Sequence, residues 1–273
     1  MRCFAVTSGK GGVGKTNFSI NLAISLASLG HKVVVFDADL GLANVDIILG
    51  THAKHTLQDV LGGPLSIEEI LTPGPGGINF IAGGSAVGKL TSISRKRLQE
   101  FLAGLAQLEA STDYLIFDTG AGIDTKVMTF LRAADEVLLV TTPDPASITD
   151  AYATAKTLFR VQRNAIIRVV MNMVSSEEQA MMLFSNLQGV CQQFLHGHLS
   201  YCGCVHNDAK VSASVRQRKP FYLASPECKA SVDISQIADK LTKNPLKILA
   251  QPFIDRLNNA FDPDNRFTKS DVA

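Results

Sequence analysis

Eight residues, Gly9-Lys-Gly-Gly-Val-Gly-Lys-Thr16, constrain this chain more than any other stretch. They satisfy glycine-x4-glycine-lysine-threonine, and they lie between an apolar run that reads as a strand (Cys3 to Thr7) and one that reads as a helix (about Thr16 to Leu29). Each part has a physical task. Glycines let backbone N–H groups turn inward and approach phosphates closely. The following helix offers its free N-terminal N–H groups and the positive end of its dipole. Lys15 then neutralises β- and γ-phosphate charge, and the Thr16 hydroxyl can ligate a metal. The expected ligand is a nucleoside triphosphate, ATP with Mg²⁺.

The rest of the chain fits a fold built around such a loop. Short β-branched runs alternate with amphipathic stretches, the signature of βαβ units. Strands are expected at Lys32 to Phe36, Ile78 to Ala82, Tyr114 to Phe117, Glu136 to Thr141, Ile166 to Met171 and Leu199 to Val205. Helices are expected between them, including Arg95 to Leu108, Thr125 to Ala133, Ile148 to Val161, Glu177 to Phe194 and Ser231 to Thr242. Ser147-Ile-Thr-Asp150 has capping-box spacing. The fold class is α/β: one doubly wound P-loop NTPase domain over 1–244, with a mostly parallel sheet of about seven or eight strands flanked by helices. With 46% apolar and 19% charged residues, a large core is easy to build. A net charge of +1 gives no strong nucleic-acid signal, and the one dense basic cluster, Arg216-Gln-Arg218-Lys219, reads as a solvated helix face. Five scattered cysteines fit a reducing, cytoplasmic setting, with no signal peptide ahead of the first strand. Cys202-Gly-Cys204 should place both thiols on one face of a strand, packed.

Ligands of open parallel sheets bind outside the carboxyl ends of the strands. Asp37, Asp39 and Asp118 all fall at such ends. Asp118 follows Tyr-Leu-Ile-Phe and suits a Walker B acid at the Mg²⁺ shell. Asp37 and Asp39, at alternate positions, share a side; one can orient water while the other supports the metal. Each could also be an ordinary cap or turn residue.

Lys10 extends the loop to Lys10-Gly-Gly-x-Gly-Lys15-Thr16, which resembles the deviant Walker A loop of the MinD/ParA ATPases. Asp37-Ala-Asp39-Leu-Gly-Leu-Ala-Asn44-Val-Asp46 resembles their first switch and Asp118-Thr-Gly-Ala-Gly122 their second. The resemblance implies that Lys10 reaches the ATP of a dimer partner, and that Lys10, Lys15 and Asp39 are catalytic, with Asp39 positioning water. It implies Mg²⁺ held by Thr16, Asp37 and Asp118. It also implies nucleotide contacts from Gly11, Gly12, Val13, Gly14, Lys15, Thr16 and Asn17, γ-phosphate sensing at Gly120, and adenine reading by Asn172.

Ser8 to Asn17, Leu40 to Asp46 and Pro145 to Tyr152 look most like the flagellar-number regulators, the FlhG/FleN group. That likeness implies a homodimer with ATP and slow hydrolysis stimulated by partners or membrane. It also implies peripheral contact with the inner face of the plasma membrane in the ATP state. The implied partner is a flagellar signal-recognition-type GTPase or a flagellar transcription activator. A MinD-like division-site role, a ParA-like positioning role, or a nucleotide-gated binding module with negligible turnover remain alternatives. Two departures stand out: the loop begins so near Met1 that a partner-stimulating extension is expected to be missing, and Val205-His206-Asn207-Asp208 stands where relatives carry a proline. No cysteine lies beside the switches, against an iron–sulfur reductase of this fold. At the other end, Leu246, Leu249, Ala250, Phe253, Ile254, Leu257 and Phe261 recur at helical spacing. They predict an amphipathic helix within 245–261, kinked at Pro252, that binds membrane or packs on the core. Residues 262–273 read as a disordered tail.

Overall fold

The computed structural model describes residues 1–39, 45–83, 90, 93–243 and 251–262. Leu40 to Asn44 of the first switch, Pro245, Leu246, Leu249 and Ala250 of the C-terminal stripe, and the tail from Pro263 lie outside those residues.

The chain runs β1 (Arg2–Ser8), α1 (Lys15–Ser28), β2 (Val33–Ala38), α2 (Val45–Leu49), α3 (Leu57–Leu61), β3 (Thr72–Pro73) and β4 (Asn79–Ile81). It continues through α4 (Arg95–Ser111), β5 (Tyr114–Ala121), α5 (Thr125–Ala133), β6 (Glu136–Thr141), α6 (Pro145–Val161) and β7 (Ile167–Val174). The last elements are α7 (Glu177–Leu195), β8 (Leu199–His206), α8 (Ala209–Arg216), α9 (Phe221–Ala224), α10 (Lys229–Lys243) and α11 (Phe253–Phe261). One eight-stranded sheet has the order β3-β4-β2-β5-β1-β6-β7-β8, parallel except where the short edge strand β3 pairs antiparallel with β4. β3 is the strand that periodicity could not reveal: it is two residues long and holds Pro73, which only an edge tolerates.

The central strands are apolar on both faces because helices cover both. On one face Phe36, Phe101, Phe117 and Phe130 form the centre of a core closed by α3 to α7 and α11, with Phe36 and Phe117 edge-to-face at 5.2 Å. On the other, Phe4, Ile20, Leu22 and Ile237 belong to a core closed by α1, α2, α9 and α10. β1 sits in the middle, where the strand order turns back on itself, so the loop after it opens into the crevice between the two helix layers.

Three local expectations are corrected. α6 begins at Pro145, capped by the Asp144 carboxylate, which accepts the Ala146 N–H at 3.0 Å; Ser147 is not its cap. Proline at the first helical position sets that start, and the Ser147 hydroxyl instead meets Thr141 Oγ1 at 2.9 Å. Cys202 and Cys204 lie on opposite faces, in different cores, because β8 is bulged: Tyr201 pairs with Val169 but Gly203 pairs with Val170. Arg218 and Lys219 are exposed as expected but follow the end of α8 rather than lying on a helix face.

The described half of the C-terminal stripe is docked. Phe253, Leu257 and Phe261 are buried in the core with α4 and α5. Arg256 fastens them: its Nε donates to Ala133 O at 2.8 Å, one terminal nitrogen meets Asp135 at 2.6 Å, and the other donates to Gln251 O.

Candidate nucleotide site

The site is set by register. Asp37 on β2 is the direct neighbour of Asp118 on β5, so two carboxylates stand side by side at the ends of adjacent strands. Ser19 of α1 donates to Asp118 Oδ1 at 2.7 Å, and the Thr16 hydroxyl bonds the same carboxylate. Asp37 Oδ1 accepts the Asp39 N–H at 3.2 Å. The second oxygen of each, Asp37 Oδ2 and Asp118 Oδ2, is buried without a hydrogen-bond partner. Burial, then repulsion from Asp118, pushes the Asp37 carboxyl up to about 7. Burial pushes Asp118 up to about 6, against the bonds from Thr16 and Ser19 and the nearby Lys15.

Two buried, unpartnered carboxylate oxygens beside a threonine hydroxyl suit a hard divalent cation such as Mg²⁺. Among the described residues no group of three or more His, Cys, Asp or Glu side chains forms a metal cage. A cation here would need phosphate oxygens to complete its shell, as nucleotide sites provide.

Lys15, at the start of α1, is 8% exposed. Burial lowers its pKa, and Asp118 and Asp39 oppose that shift. Asp39 also lies over Gly120, where a Cβ would stand 3.3 Å from its Oδ1. The loop itself tolerates no side chain at two of its glycines. Gly9 packs so closely on α6 that a Cβ would lie 2.2 Å from the Asp150 backbone. Gly14 has φ +90 and would carry a Cβ 2.6 Å from Asn172 Nδ2.

Asn172 therefore lies against the loop, where its amide donates one N–H to Val13 O at 2.7 Å and accepts from the Met173 N–H at 3.0 Å. Lys10 turns outward to an exposed ion pair with Asp144, at 2.6 Å. Beside the loop lies a pocket lined by Gly14, Asn17, Phe18, Asn172, Met173 and the segment Val205 to Asp208. Its place next to the phosphate cradle and its partly apolar lining suit a nucleobase. Sequence reasoning missed Ser19, whose spacing of three from Thr16 places both on one face of α1, and Asp144.

The raised carboxyls give a first prediction. Their folded values exceed the ordinary 3.8, so between about pH 4 and 7 the folded state holds more protons than the unfolded one, and ligand-free stability falls as pH rises. Asp37→Asn is therefore expected to raise the ligand-free melting temperature at pH 7.5, by roughly 2–4 °C per kcal/mol relieved, with the gain vanishing below about pH 4. Scanning calorimetry that found the same shift at both pH values would refute this origin.

A phosphate loop after the first central strand, paired strand-end carboxylates and a second loop lysine define a P-loop NTPase of the deviant Walker A class. A family model described as "ParA: NUBPL iron-transfer P-loop NTPase" matches residues 1–242, and the chain belongs to this ParA/MinD-type family of ATPases. It is 41% identical over 246 residues to the antiactivator FleN of Pseudomonas aeruginosa, covering 90% of this chain and 88% of that one. It is 38% identical over 238 residues to the flagellum site-determining protein YlxH of Helicobacter pylori, covering 87% and 80%. The fold matches MinD in the MinC:MinD complex of Aquifex aeolicus, with TM-score 0.73 at 24% identity over 91% of this chain and 98% of that one. It also matches Mg-ADP-bound MinD of Pyrococcus horikoshii, with TM-score 0.71 at 21% identity over 89% and 96%. The iron-transfer part of the family description finds no paired thiols in Cys202 and Cys204, which the bulge separates.

Proposed function

We propose that this chain is a Mg²⁺-ATP-dependent dimerising ATPase switch that regulates flagellar number or placement at the cytoplasmic membrane. One observation carries the reading: the Asp37–Asp118 pair beneath a loop bearing Lys15 and Thr16, on a chain alike to FleN over most of its length. Lys15 faces the β- and γ-phosphates, and Thr16, Asp37 and Asp118 hold Mg²⁺, which neutralises developing phosphate charge when bound. Asp39 orients the attacking water beside Gly120, whose amide senses the γ-phosphate. Lys10 leaves Asp144 and reaches the partner copy's phosphates. Slow turnover suits a site that a second copy must complete. The name antiactivator, borne by FleN, favours a flagellar transcription activator as partner over a signal-recognition-type GTPase.

Among the described residues no helix is long and apolar enough to cross a membrane, so contact would be peripheral. To supply it, the C-terminal stripe must undock Phe253, Leu257 and Phe261 and release Arg256 from Asp135. Dimerisation would favour attachment through two copies acting together. The reading is tested in two arms. Cells lacking the gene should show altered flagellar counts restored by wild type but not by Asp39→Ala; misplaced septa with normal flagella would favour the division-site alternative. Purified protein should sediment with liposomes in Mg²⁺-ATP and little in ADP; equal sedimentation in both states would refute the membrane switch.

A further inference from the structure

Among the polar side chains that line the cavity beside the phosphate loop is an imidazole whose tautomer is fixed by a carboxylate. β8 ends at His206, and both its backbone N–H and its Nδ1 lie 2.8 Å from a single oxygen, Oδ2 of Asp233 on α10. The pair is well shielded, the side chains being 10% and 8% exposed. A carboxylate only accepts, so Nδ1 carries the proton, and in that tautomer Nε2 is the acceptor.

The other polar side chains lining the cavity differ in kind. Asn17 and Asn207 present amides that offer donor or acceptor according to how they turn, and the Ser212 hydroxyl rotates. Asp208 is committed, accepting Lys210 N–H at 2.8 Å as the cap of α8 and Lys229 N–H at 3.1 Å. Asn172 is oriented by Val13 and Met173, which take one of its N–H groups and one of its lone pairs. A group that can present either face does not tell an amine from a carbonyl. A locked imidazole does.

We infer that His206, held by Asp233, is a specificity-determining residue that selects a purine bearing an exocyclic amine, adenine, over one bearing a carbonyl in its place. The inference rests on the nucleotide-binding reading above and deepens it. An amine N–H directed at Nε2 makes a hydrogen bond, whereas a carbonyl there sets lone pair against lone pair in a shielded pocket. Asp233 is a positioning residue, since it touches His206 and not the base. α10 packs on α1, the helix that begins with Lys15 and Thr16, so the imidazole is held in a fixed relation to the phosphate site.

The test is calorimetric titration of the whole chain with Mg²⁺-ATP, Mg²⁺-ITP and the triphosphate of purine riboside, which lacks both amine and carbonyl. Wild type should prefer ATP to ITP by about ten-fold or more, with the purine riboside form between them. His206→Gln, an amide able to present either face, should bring the ATP/ITP ratio towards one. Asp233→Ala, which frees the ring, should narrow it too, with thermal melting showing that each variant is folded. An unchanged ratio in folded His206→Gln overturns the inference, and so does equal weakening of ATP and ITP, which would make His206 a mere wall of the pocket. Wild type that binds ATP and ITP equally sinks this inference and leaves the nucleotide site standing. Wild type that binds none of the three removes the site itself.

Discussion

Lys15→Ala is expected to weaken Mg²⁺-nucleotide binding by about 30- to 4,000-fold, the effect of about 2–5 kcal/mol for truncating one partner of a buried charge pair. The size follows from where the ammonium sits. It is almost covered, it begins the helix that follows the loop, and Asp118 and Asp39 already draw on its charge. A triphosphate adds several negative charges to a site that holds Asp37 and Asp118 as adjacent strand partners. Without the lysine, only backbone N–H groups and Mg²⁺ oppose that repulsion. Lys15→Arg keeps the charge but spreads it over a planar fork in place of a compact point, and should recover part of the loss. Calorimetric titration with Mg²⁺-ATP measures both variants. Wild-type affinity in a folded Lys15→Ala protein would falsify the assignment of the phosphate loop as the binding site.

What the sequence disclosed follows the range of the interactions involved. The phosphate loop is contiguous and its chemistry is local, so every residue from Gly9 to Thr16 could be given a task before the fold was known. The carboxylates at strand ends were readable for a similar reason, because each closes an apolar run. Their pairing was not. That Asp37 neighbours Asp118, and that Ser19 reaches Asp118, depends on register between strands and on helix packing, to which periodicity is blind. Strand alternation failed at Cys202 and Cys204 because one extra residue at the bulge reverses the face. The start of α6 did carry a local signal, Pro145 after Asp144, that capping-box spacing at Ser147 obscured. The His206–Asp233 pair joins β8 to α10 across 27 positions, beyond any motif. The C-terminal stripe shows the remaining limit: its spacing announces an apolar face, but the same spacing serves a membrane or a core. Burial of Phe253, Leu257 and Phe261 with the Arg256 anchor is a fact of packing.

Asp39→Ala and Lys10→Ala should part company when nucleotide is added. Asp39 reaches Gly120, Lys15 and Asp118 within its own chain, so its proposed work on water begins after the nucleotide is seated. Its loss should leave Mg²⁺-ATP binding and dimer formation in place while slowing hydrolysis by about 10²-fold or more, the range for losing a group that manages the nucleophile's proton. Dimer should then accumulate, because the step that resets it is impaired. Lys10 is exposed and pairs with Asp144 of its own chain in an ion pair open to solvent on both sides. An exposed pair of this kind is easily exchanged for a stronger partner, and Asp144 keeps its capping bond to α6 when the lysine departs. A partner copy's phosphates offer more negative charge than one carboxylate. Lys10→Ala should accordingly bind nucleotide but stay monomeric and turn over poorly. Light scattering at saturating Mg²⁺-ATP, read beside phosphate release, separates the two. A strictly monomeric Asp39→Ala protein, or a fully dimeric and active Lys10→Ala protein, would count decisively against a nucleotide sandwiched between two copies.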